Sequence, residues 1–203
     1  MILPIVYAGN IEYFSLLLNS ESPIFLDGYE HFVKQTYRNR TEIYGANGKL
    51  SLIIPLIKRN KRTPMNEVLI DYSQNWQKLH WKSFESAYRS SAYFEYYEHQ
   101  LIAFYKEKKY QKLVDFNLAL LERILTLLKQ EVNIGFTTSY TEVEGTDYRK
   151  EINPKNSKTK NYPKKDYFQV FDSRHGFIPN LSIFDLLFNE GPNAINMINH
   201  GKN

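Results

Sequence analysis

The chain of 203 residues contains no cysteine, which excludes disulfide cross-links and thiol nucleophiles and suits a reducing compartment without demanding one. It has no apolar run approaching the ~18–20 residues that a membrane-crossing helix needs. The opening MILPIVYAGN is apolar but carries no basic stretch, and Pro4 and Gly9 interrupt it, so it reads as a first strand rather than a secretion signal. The cytoplasm is the expected compartment. Also absent are the GxGxxG and GxxxxGKS/T strings that cradle phosphates, the GxSxG turn of a serine nucleophile, and any His/Cys/Asp spacing suited to a metal. The five histidines, at 31, 80, 99, 175 and 200, are scattered, and neither a metal nor a cofactor is implied.

What is present is a hydrophobic fraction of 42%, enough for a globular core, in a length close to one domain. A single unit spanning 1–203 is expected. The formal charge of +4 is unevenly spread. Residues 31–62 hold eight Lys/Arg against Glu42 alone, and residues 145–165 hold seven against Asp147 and Glu151. Concentrated positive charge raises the local concentration of an anionic small molecule, bearing phosphate or carboxylate. The remainder of the chain is acidic, which argues against coating nucleic acid despite a pI near 9.0.

Apolar spacing predicts mixed α and β: a small mixed sheet with a β-hairpin, flanked by helices. Ile2–Tyr7 reads as a strand and Asn10 as the cap of a helix over Ile11–Asn19. Ile24–Asp27 is a second strand ending in an acid, which suggests a parallel crossover. Thr41–Ile57 is a hairpin turning at Gly45–Gly48, where Asn-Gly supplies positive φ. Glu67–Tyr72 reads as a further strand. Helices follow over Trp76–Arg89 (capped by Ser73), Tyr93–Tyr105 and Leu113–Leu128, the last with one continuous apolar stripe. Thr146–Lys165 is a Lys-rich polar loop. Tyr167–Phe171 reads as a last strand, and Pro179–Asn189 as a final helix stopped by Gly191-Pro192.

Two constellations can carry chemistry. The first is His31, Lys34, Tyr37, Arg38, Asn39 and Arg40, expected at a sheet edge or over a cleft. Arginine presents a planar fork matching phosphate or carboxylate oxygens, and histidine can donate or accept a proton near neutral pH. The alternative is an edge strand protected by charge. The second is Trp76 and His80, one helical turn apart, with Trp81 beside them. They suit stacking on a sugar or base, or else they are core anchors around a satisfied buried histidine. In the tail, His175, Asn180, Ser182, Asp185 and Asn189 read as loop, cap and turn residues.

Several strings are long and unusual: IFLD, FVKQTYRNRTEIYGANG, LIIPL, IDYSQNWQKLHWKSFESAYR, DFNLALLERIL and HGFIPNLSIFDLLFNEGP. On these the chain resembles the WbqC-like family, especially its shorter form in the Bacteroidetes group. It departs from fuller members at the opening, where Leu3-Pro4 stands for a His-Gln-Pro-type string. It departs again where the Lys-rich 146–165 replaces a Tyr-Leu-Ser-Gly-type unit. The resemblance implies bacterial surface-polysaccharide (lipopolysaccharide or capsule) biosynthesis by association, and brings no established catalytic residues.

Two readings follow. In one, the protein is a transferase acting on an anionic activated donor such as a nucleotide sugar or acyl donor. Arg38 and Arg40 would bind the anion, with Lys34, Tyr37 and Asn39 beside them. Trp76 or Trp81 would stack on it, and His31 or His80 would move the proton. Arg38, Arg40 and His80 are then expected to face one hollow. In the other, it is a non-catalytic binding or scaffolding partner, as a homodimer or with polysaccharide-assembly proteins. Its 16 tyrosines and 13 phenylalanines favour interfaces.

Overall fold

Three short apolar strings build the main sheet. In the computed structural model, which describes residues 1–140, 146–155 and 166–199, β1 (Ile2–Pro4) lies parallel to β2 (Ile24–Asp27), with Leu3 opposite Leu26. The crossover is α1 (Ile11–Asn19), started where the predicted cap places it: the Asn10 side-chain oxygen accepts the Tyr13 amide at 3.1 Å. The basic region then leads into β3 (Arg40–Gly45) and β4 (Gly48–Ile53), an antiparallel pair forming a separate two-stranded sheet. At its turn only Gly48, with φ 93°, is left-handed. Asn47 is not, so the chain reverses with one positive φ rather than the pair expected.

Three amphipathic helices follow, α2 (Trp76–Tyr88), α3 (Phe94–Lys106) and α4 (Leu113–Leu127). Every member of the predicted α4 stripe, from Leu113 to Leu128, is buried. After α4, β5 (Ile134–Phe136) pairs in parallel with β2, giving the order β1-β2-β5. The free side of β1 is covered by 146–148: Ile2 donates to the Thr146 carbonyl at 2.8 Å and Tyr148 to the Ile2 carbonyl at 2.9 Å. The chain ends in α5 (Asp172–His175), α6 (Ile183–Glu190) and α7 (Ala194–Ile198). Ser182 caps α6, and its hydroxyl and that of Thr41 both donate to the Ala8 carbonyl, at 3.0 and 2.8 Å. One carbonyl thus ties the turn after β1 to the hairpin and to α6. The fold is mixed α/β, and among the described residues no helix is long and apolar enough to cross a membrane.

Four expectations are corrected. Glu67–Tyr72 is no strand: Met65–Glu67 is a 3-10 turn, and the residues beyond it bond alternately to different segments. Ile57 donates to Leu69 O, Ile70 to Gln111 O, and Leu113 to Val68 O. Without a single neighbour no ladder propagates. Ser73 does not cap α2; its amide donates to Asp71 Oδ1 at 2.8 Å, a local turn, and Asn75 precedes the helix. Tyr167–Phe171 runs unpaired, because Gln169 clasps the main chain of Ile178 from both sides, at 2.9 and 2.8 Å. The helix expected over Pro179–Asn189 begins at Ile183, four residues late, since Asn180 takes φ 57°, and it is not the last, because α7 follows. Of the Lys-rich loop, 146–155 is described as edge contact and turns, and 156–165 lies outside the described residues.

Candidate functional site

Parallel strands gather the loops that follow them at their carboxyl ends, which is where ligands bind in open α/β sheets. Here β2 ends in Asp27, whose side chain is fully buried. Its Oδ1 accepts from the Tyr29 amide at 2.8 Å and the Thr137 hydroxyl at 2.7 Å, so it joins the loops leaving β2 and β5. Its other oxygen pairs with Arg149 Nη1. Arg149 in turn grips Asp147 with two nitrogens, at 2.9 and 2.5 Å. These bonds to Asp147 raise the guanidinium pKa although burial works to lower it, and burial, which works to raise the Asp147 carboxyl, is outweighed by the same bonds, so it is held low.

The second half of the network comes from the loop after β2. Glu30 and Arg38 form a two-pronged pair at 2.8 and 2.5 Å, with side chains only 6% and 3% exposed. Arg38 also donates to the Thr36 hydroxyl at 3.1 Å and to the Arg149 carbonyl at 3.0 Å. Four of its five N–H groups are therefore engaged among the described residues. Burial pushes the Glu30 carboxyl pKa up, and the Arg38 charge only partly offsets it. The loop holding these groups is itself pinned to residues 63–66: Phe32 donates to Thr63 O, Met65 to Glu30 O and Asn66 to Gly28 O, all at 2.9–3.0 Å.

This network floors a cavity of about 280 Å³, with Glu30, Thr36, Arg38 and Arg149 in its wall and His31, Val33, Tyr140, Lys150 and Asn153 around it. Two larger hollows exist. One of about 530 Å³ lies at the amino ends of β2 and β5. The other, about 460 Å³, runs between α4 and β5. Among the described residues neither has a lysine, arginine or histidine in its lining. Size favours them; chemistry favours the carboxyl-end cavity. Among the described residues there is no group of acidic or histidine side chains arranged to hold a metal.

The structure brings His31 and Arg38 to this cavity and leaves the other candidates elsewhere. Lys34 is exposed and does not line it. Tyr37 is buried, and burial followed by the charges of Glu42 and Glu12 raises its phenol pKa. Asn39 donates to Ile54 O at 2.8 Å, a structural role. Arg40 opens β3 opposite Ile53, with its Nε buried and unbonded among the described residues. Trp76, His80 and Trp81 sit in the aromatic core. The shared face of Trp76 and His80 is the one that packs inward: their rings meet at 5.1 Å, and Trp76 meets Phe116 at 5.6 Å. His80 Nδ1 is 2.9 Å from the Tyr7 hydroxyl, which is 3.0 Å from that of Tyr105. Burial holds the imidazole pKa down to about 4, against a hydrogen bond to the Ile53 backbone, so it is neutral at pH 7. Among the described residues Arg38 lines this cavity without Arg40 or His80, because α2 turns its histidine toward Tyr7 instead.

Asp27, Glu30, Tyr140, Arg149 and Lys150 were not among the sequence candidates. Two signals pointed to Asp27 and Arg149: the acid closing a predicted parallel strand, and one arginine among the lysines of 145–165, where only a guanidinium can fork onto two carboxylates.

The family model described as the WbqC-like protein family matches residues 6–162, which includes every one of these site residues. The chain is also similar to the uncharacterized protein Rv1507c of Mycobacterium tuberculosis (strain ATCC 25618 / H37Rv), 25% identical over 211 residues that cover 90% of this chain and 89% of that protein. No solved structure matches it significantly. With the match extending over most of its length, from the turn after β1 through the loop that carries Arg149, the chain belongs to the WbqC-like protein family.

Proposed function

We propose that the carboxyl-end cavity binds an anionic activated donor and that the protein is a transferase of surface-polysaccharide assembly. The supporting observation is that cavity, which sets His31 and Lys150 beside a rigid floor of buried Arg38–Glu30 and Arg149–Asp27 pairs. The pairs fix the shape of the site, and Lys150 supplies charge not already bound to a buried carboxylate. Such preorganisation places reacting groups without reordering at the moment of reaction. An acceptor hydroxyl or amine would attack the activated carbon of the donor. The bond to its leaving group breaks as the new one forms, and the acceptor proton passes to the His31 imidazole. The polysaccharide setting rests on the family resemblance.

Thermal shift with a panel of nucleotide sugars and acyl donors tests this. A ligand at about 100 times its Kd stabilises by about 2.7 kcal/mol. At roughly 2–4 °C per kcal/mol for a chain of this size, that is a shift of about 5–10 °C. His31→Ala/Lys150→Ala should abolish it. No shift with any donor, or an undiminished shift in the double variant, removes the reading.

A second reading has its own support. Because four of the five Arg38 N–H groups are satisfied internally, the network is complete without a ligand, as in a non-catalytic binding or scaffolding partner. A His31→Ala strain with undiminished polysaccharide would decide for it.

A further inference from the structure

One wall of the cavity is an aromatic ring whose place is fixed from behind. The Arg149 guanidinium carbon lies 4.6 Å from the centre of the Tyr140 ring. That guanidinium cannot drift, being held by Asp27 and Asp147 with a side chain 3% exposed. The ring it backs is nevertheless 48% exposed. A cation fixed on a ring makes it a stiff, electron-poor plane, and such planes stack on flat π-systems. Among the described residues Val33 is the one aliphatic side chain of the lining, and Asn153 adds a polar one. The volume of about 280 Å³ is near the lower end of ligand pockets, ~300–1,000 Å³, so part of a donor would lie outside it.

On the donor-binding reading above, we propose that the donor is a nucleoside diphosphate conjugate, whose base stacks on Tyr140 while its diphosphate lies against Lys150 and His31. Arg38 and Arg149 are then positioning residues. One holds the loop and the other holds the ring, and the charge that meets the ligand comes from the rim.

Calorimetric titration of the full chain distinguishes the parts. The probes are UDP, ADP, ribose 5-phosphate and inorganic pyrophosphate, each against wild type, Tyr140→Phe and Tyr140→Ala. At least one nucleoside diphosphate should bind wild type about 10-fold or more tighter than the two base-free anions, the size expected of one base on one ring. Tyr140→Ala should erase that margin while binding pyrophosphate within about threefold of wild type, and Tyr140→Phe should keep it. The unchanged pyrophosphate affinity shows that the variant retains its site. If pyrophosphate or ribose 5-phosphate binds wild type as tightly as the nucleotides, stacking is overturned and the anion site stands. The same holds if Tyr140→Ala weakens all four probes alike. If no probe binds wild type, the donor-binding reading falls as well.

Discussion

Asp185, on the first turn of α6, is fully buried and accepts three hydrogen bonds. They come from the Tyr88 hydroxyl at 2.8 Å, the Tyr167 hydroxyl at 2.5 Å and Gln169 Nε2 at 2.8 Å. Burial outweighs these donors and pushes its pKa up to about 6. A raised carboxyl pKa means that the folded state holds a proton the unfolded chain has released. Its stabilisation is full below the ordinary carboxyl range and is lost as pH rises through about 6. A shift of about two units corresponds to about 3 kcal/mol. His80 works in the opposite sense: its pKa is held down to about 4, so acid favours the unfolded chain, again by about 3 kcal/mol between pH 6.5 and 4. In the wild type the two contributions nearly cancel over that interval. Asp185→Asn removes one of them. At pH 7 it also leaves the Tyr88 hydroxyl without an acceptor, since that oxygen already takes the Tyr44 amide at 3.1 Å, a loss of about 1–3 kcal/mol. From pH 7 to pH 4 the deficit relative to wild type should widen by a further ~3 kcal/mol. Urea unfolding followed by the fluorescence of buried Trp76 and Trp81 at pH 7, 6, 5 and 4 measures it. A deficit constant to within about 0.5 kcal/mol across that range would refute the argument.

Three further outcomes follow from the packing. Arg149→Ala strands the buried Asp27 carboxylate and should destabilise by about 3–5 kcal/mol in urea, with Arg149→Lys falling between. Tyr7→Phe deprives His80 Nδ1 and the Tyr105 hydroxyl of their common partner and should lower stability by about 1–3 kcal/mol; an unchanged urea midpoint would count against the chain of bonds. Gly191→Ala places a Cβ 2.5 Å from the Tyr93 ring at φ 55°. It should lower the melting temperature, with at least ~1–3 kcal/mol from the backbone conformation alone.

Much of the fold was legible because local rules decide it. Asn10 caps where a capping residue must, IFLD is a short apolar string of strand length, and the α4 stripe repeats at the helical period. Where two rules competed, the reading failed. Tyr167–Phe171 has the composition of a strand, but the Gln169 side chain takes the main-chain bonds of Ile178 that a neighbour would have made. β5 was missed because three residues, one of them glycine, carry no period.

The candidate site was legible only in part, for a reason of distance. Charge density pointed to His31 and Arg38, yet nothing within a window of neighbours says that Arg149 lies 122 residues from its partner Asp27. Composition and periodicity determined the opening strands, the hairpin, the helices from α1 to α4 and the concentration of cations. Which arginine is clamped by carboxylates, which ring is left exposed beside it, and which histidine is turned into the core were settled only when α2 packed on Tyr7 and the loop after β1's edge contact closed over β2. A side chain's environment is a property of contacts between remote segments, and those exist only in three dimensions.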